Sequence, residues 1–142
     1  MSKFLLIFML MPLLSFATVD FNFEYTFHLK KDQIGEAVIK KDYPVTFPKE
    51  GVLRFRWTLY QNERLVVLVD YEGFKTQYVL EPRYGLDTIK LYLTGDYARM
   101  DKRAFVYLSF KAFDAKKRIA TILAQFADPE NRLNIKITKP KK

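Results

Sequence analysis

The chain has 142 residues, no Cys, a single His and a formal charge of +8. The length suits one domain with a core of its own. The missing thiols exclude disulfides, thioether-bound haem, thiolate metal sites, Cys catalysis and lipid attachment at an N-terminal Cys. Five Gly and six Pro leave little room for low-complexity tracts, and the 16% aromatic share comes almost wholly from Phe and Tyr, which favour strands.

Residues 1–17 read as a cleavable secretory leader. Lys3 is the positive start, Phe4 to Leu14 the apolar core, and Ser15-Phe16-Ala17 a small-x-small cleavage site. The apolar stretch is far below the ~20 residues that span a bilayer. Export without Cys points to a bacterial periplasm and not to a lipoprotein. The remainder carries +7, from 23 basic and 16 acidic residues. Such a charge fits anionic partners; export argues against nucleic acid among them.

From Val19 to Leu29, Val19, Phe21, Phe23, Tyr25, Phe27 and Leu29 alternate with polar residues, the pattern of a strand with one buried and one wet face. Ile34 to Lys40 is a weaker strand in which Gly35 suggests a bulge. Pro44 and Pro48 confine Val45 to Phe47 to a short edge strand. Gly51 to Glu81 reads as a three-stranded meander. In its first strand Leu53, Phe55, Trp57 and Leu59 form one row, and Arg54, Arg56, Thr58 and Tyr60 the other. Leu65 to Val69 is apolar without alternation, as in a strand covered on both faces. Glu72-Gly73 supplies a two-residue turn. Phe74, Thr76, Tyr78 and Leu80 then alternate with Lys75, Gln77, Val79 and Glu81.

Leu86 to Thr94 is the next strand and Gly95 to Arg103 a polar break. In Ala104 to Phe113, Ala104, Val106, Leu108, Phe110 and Ala112 form one row, and Phe105, Tyr107, Ser109, Lys111 and Phe113 the other. Residues 115–126 fit two patterns. Ile119, Ile122, Leu123 and Phe126 have helical spacing, but Lys116, Lys117 and Arg118 would oppose the dipole in a first turn. A hairpin across 114–117 is the preferred reading. Leu133 to Ile137 is a last strand, and 139–142 a basic tail. The expected fold is therefore all-β: an antiparallel sandwich of eight or nine strands over 18–138, immunoglobulin-like, with a closed barrel as the alternative.

The chemistry is mostly subtractive. Beyond the leader there is one His, His28, and one Ser, Ser109, with no base at triad-like spacing. No metal-ligand spacing, phosphate-cradling Gly motif or opposed carboxylate pair stands out, and Asp96…Asp101 and Asp128-Pro129-Glu130-Asn131 do not match a calcium loop. No cofactor is implied. The positive signal is basic residues interleaved with aromatics: Arg54, Arg56 and Tyr60 in one strand, Arg83-Tyr84 in a loop, and Tyr97, Arg99, Lys102 and Arg103 in the polar break. Arg and Tyr are enriched at interface anchors. The expected protein is a non-enzymatic periplasmic module that contacts another envelope protein within an assembly such as a flagellar motor or secretion apparatus. Val45 to Phe47 or Leu133 to Thr138 would be available to extend a partner's sheet. The alternatives are a module for anionic lipid, lipopolysaccharide or peptidoglycan and, last, a carboxylate hydrolase.

Overall fold

A computed structural model describes residues 18–42, 50–93 and 102–140; the leader and Val45 to Phe47 lie outside these. Alternation of apolar and polar residues becomes strand wherever one row can be buried, and the described residues form nine strands: β1 (Phe23–Lys30), β2 (Gly35–Lys41), β3 (Glu50–Gln61), β4 (Arg64–Tyr71), β5 (Phe74–Leu80), β6 (Thr88–Tyr92), β7 (Phe105–Asp114), β8 (Ile119–Ala127) and β9 (Leu133–Thr138). A 3-10 turn, Pro82–Tyr84, joins β5 to β6.

The strands form two antiparallel sheets, ordered β1-β8-β7-β6 and β5-β4-β3-β2-β9. Two meanders, β2 to β5 and β6 to β8, account for most of the pairing. β1 and β9 bind far from their sequence neighbours, against β8 and β2. Among the described residues no ladder joins the two sheets, and the molecule is a sandwich and not a closed barrel. Its order also differs from the interleaved ABED and CFG sheets of an immunoglobulin domain, because β2 to β5 all stay in one sheet. Residues 119–127 are strand β8, paired with β7 across the 114–117 turn. Asp114 Oδ1 accepts the backbone N–H groups of Lys116 and Lys117 there, at 3.0 and 2.9 Å. The Asp114 carboxylate thus closes a hairpin.

The core lies between the sheets. Phe27 meets Phe55 edge-on at 4.9 Å between ring centroids, and Trp57 meets Phe113 at 5.5 Å. Polar ties cross the same space. Trp57 Nε1 donates to the Leu29 carbonyl at 2.7 Å, the Asp32 N–H donates to the Trp57 carbonyl at 2.9 Å, and the Tyr71 hydroxyl donates to the Leu93 carbonyl at 2.9 Å. Each satisfies a carbonyl that the ladders leave unpaired.

Two bulges revise the expected rows. The register of β3 against β4 shifts between Trp57 and Leu59, and that of β7 against β8 between Phe110 and Ala112. One extra residue reverses every later side chain. Leu59 therefore points outward, 49% exposed, while Tyr60 turns to the core. Likewise Phe113, not Ala112, packs inward. Gly35 is not at a bulge. It pairs regularly with Phe55, and a Cβ there would lie 2.8 Å from the Phe55 ring. β4 is not sandwiched on both faces either: Leu65, Val67 and Val69 are buried, while Val66 and Leu68 are only half-buried on the outer face.

Candidate functional site

The outer face of the four-stranded sheet gathers aromatic rings around a cation. β6 turns Ile89 inward, so Lys90 and Tyr92 point out. β7 buries Val106 and Leu108, so Phe105 and Tyr107 point out. The β6–β7 register sets Tyr92 opposite Phe105 and Lys90 opposite Tyr107. Phe21, just before β1, adds a fourth ring, 6.5 Å from Phe105 and 5.7 Å from Tyr107. Its position is held by Asn22, whose N–H donates to the Phe126 carbonyl at 2.8 Å and whose side-chain oxygen accepts the Asp128 N–H at 2.7 Å.

The Lys90 ammonium lies 4.3 Å from the Phe105 centroid, 5.1 Å from Tyr92 and 5.7 Å from Tyr107. The Arg103 guanidinium lies 5.6 Å from Tyr92. Phe105 and Tyr107 are 5.0 Å apart, and Tyr92 and Phe105 6.4 Å. Ring faces carry negative quadrupole charge, so an exposed ammonium set over them contributes about 0.5–1 kcal/mol. No carboxylate pairs with Lys90 among the described residues. Tyr92 is 44% exposed and the other three rings are half-buried. The face thus combines fixed positive charge with apolar area, and suits a ligand carrying an anion beside an apolar group.

The basic residues marked from sequence are dispersed. Arg54 Nε donates to Glu36 at 2.7 Å and Arg83 to Glu63 at 2.8 Å. Arg56 lines a shallow groove of about 480 Å³ with Leu68, Asp70 and Lys75, on the outer face of the five-stranded sheet. Tyr60, expected beside these arginines, is on the other side of the sheet. Tyr84 is 66% exposed on the 3-10 turn. Lys102 sits 3.8 Å from Glu130. Tyr97 and Arg99 lie outside the described residues. Of those within the described residues, only Arg103 belongs to the ring cluster. The sequence did contain a signal for the rest: Phe105 and Tyr107 are aromatics in the row opposite Val106 and Leu108, where a wet face calls for polar residues.

His28, Ser109, Asp128 and Arg64 have structural partners. His28 Nδ1 is 3.2 Å from the Thr121 hydroxyl, and Ser109 is 2.9 Å from the Thr88 hydroxyl. Asp128, buried in its turn, accepts the Leu133 N–H at 2.7 Å through Oδ2. Arg64 donates to Glu81 at 2.8 Å, and that carboxylate holds the guanidinium above its ordinary pKa. No cluster of three His, Cys, Asp or Glu side chains occurs among the described residues.

Fold and face together define a two-sheet β-sandwich with an aromatic, cationic outer surface. Comparison with protein families, curated proteins and solved structures gives no match.

Proposed function

We propose that this protein is a non-enzymatic component of the bacterial cell envelope, and that it binds another envelope protein through the outer face of its four-stranded sheet. The observation that carries this reading is the Lys90 ammonium, set over three rings and facing no carboxylate among the described residues. Tyr, Phe and Arg are enriched at protein interfaces. A partner carboxylate set against Lys90 completes the charge pair, and apolar partner side chains cover the rings. The leader read in residues 1–17 supports an exported site of action.

The same chemistry favours a second reading, an anionic glycan or lipid headgroup, because a sugar ring stacks on Tyr92 as well as a side chain does. One experiment separates the two. A photo-cross-linking amino acid replaces Tyr92 in the full chain in its native envelope, with Thr26, exposed on the same sheet, as control. The expected result is one discrete protein adduct at position 92, absent at 26 and lost with Lys90→Glu. Adducts to lipid or glycan alone transfer the face to the second reading. Identical patterns from both positions overturn both.

A further inference from the structure

Strand β5 ends its sheet with an open, self-complementary edge. It pairs with β4 on one side through a two-residue turn, Glu72-Gly73, with φ 52° and 85°. That turn closes on a hydrogen-bonded pair, Tyr71 with Phe74. Hydrogen-bonded positions recur every second residue, so Phe74, Thr76, Tyr78 and Leu80 bond to β4. The backbones of Lys75, Gln77 and Val79 face the other way. Glu81, next in that row, confirms the phase: its N–H donates to the Leu86 carbonyl at 2.7 Å and its carbonyl accepts the Leu86 N–H at 3.2 Å. Lys75, Gln77 and Val79 have no such partner among the described residues.

Elsewhere the sandwich guards its edges. The Leu29 carbonyl of β1 accepts the Trp57 indole. β6 is only five residues long. β9 is followed at once by Lys139-Pro140. Such devices block edge pairing. β5 has seven residues, no Pro and one Lys, and its Phe74 is 81% exposed.

We propose that β5 pairs with β5 of a second copy of this chain, antiparallel about a two-fold axis at Gln77. This register sets Gln77 opposite Gln77 and Lys75 opposite Val79 in hydrogen-bonded pairs, so the three open N–H and three open C=O groups form about six hydrogen bonds. Shifting the centre by one residue in either direction loses two of them. Like charges stay apart: the two Lys75 residues sit four positions from each other, roughly 14 Å at ~3.4 Å per residue, beyond the ~8 Å screening length of physiological salt. Phe74 of each copy comes beside Leu80 and Leu86 of the other, and Leu86 is itself 61% exposed. The two five-stranded sheets become one continuous sheet. A closed two-fold contact ends assembly at the dimer.

Because the chain has no Cys, engineered thiols report the register directly. Under mild oxidation Gln77→Cys cross-links to itself. Lys75→Cys does not, but it cross-links with Val79→Cys when the two are mixed. In sedimentation the unmodified protein moves between monomer and dimer with concentration. Val79→Lys, which sets Lys opposite Lys75 of the other copy, weakens the dimer at least tenfold at low salt while the near-UV signal of Trp57 stays unchanged. Sedimentation as monomer up to ~0.1 mM, or cross-linking indifferent to position, overturns the proposal. The ring face of the other sheet is not involved, so this outcome leaves the proposed function untouched.

Discussion

The Tyr60 ring stacks on Phe113 with centroids 3.8 Å apart and planes 19° from parallel. Tyr60 is on β3 of one sheet and Phe113 on β7 of the other. Both reach the interior only because a bulge precedes each of them. Tyr60 also meets Phe110 edge-on at 6.1 Å, so the pair closes one end of the core. Tyr60→Ala is expected to cost about 2–3 kcal/mol and Phe113→Ala about 3–4 kcal/mol. The double variant costs less than the sum by about 1 kcal/mol, the coupling of a stacked pair. Urea unfolding followed by Trp57 fluorescence measures all three.

Gly35 lets β2 come close to the Phe55 ring, and a methyl group there meets Cζ at 2.8 Å and the Phe27 ring at 3.1 Å. Both rings are fully buried and pack on each other. Gly35→Ala therefore overpacks the centre of the sandwich, with an expected loss of about 1–3 kcal/mol. A thermal midpoint unchanged from the parent disproves the close-packing role.

Lys41 is a buried cation, its side chain 5% exposed, and its Nζ bonds Glu72 Oε1 at 2.7 Å. The contact ties the end of β2 to the β4–β5 turn. Glu72→Gln strands the ammonium without its counter-charge and is expected to cost about 2–3 kcal/mol; the low end reflects the part-exposed carboxylate. Lys41→Met with Glu72→Gln loses less than Glu72→Gln alone, since no buried charge then lacks a partner. A denaturation series on the three variants gives the order.

On the ring face, Tyr92→Ala and Phe105→Ala each weaken partner binding tenfold or more, as removal of an interface anchor does. Lys90→Glu weakens it further and lowers the association rate. Stability changes by under ~1 kcal/mol for Lys90→Glu, whose cation–ring contacts are exposed. Binding by the parent falls roughly fivefold when salt is raised from ~0.05 to ~0.5 M, a dependence that the neutral Lys90→Gln removes. Titration against the partner found by cross-linking measures each value.

Much of this molecule was legible in one dimension. Phe23, Tyr25, Phe27 and Leu29 alternate with polar residues, and β1 buries that row. Leu53, Phe55 and Trp57 line the core. The 114–117 turn, the Glu72-Gly73 turn and the strands on either side of each follow from residues adjacent in the chain. Period-two patterning and turn chemistry are local, so the sequence alone determined an all-β fold in two layers.

Three things were decided only when strands met. The bulges at Thr58 and Lys111 are mismatches between two strands, and neither strand records them by itself; hence Tyr60 exchanged faces with Leu59, and Phe113 with Ala112. The pairing of β1 with β8 and of β9 with β2 brings together residues about a hundred positions apart, through contacts that no local pattern encodes. The ring face draws Phe21, Lys90, Tyr92, Arg103, Phe105 and Tyr107 from three separate stretches. Alternation states which row is wet, but only register and sheet order determine which wet residues become neighbours.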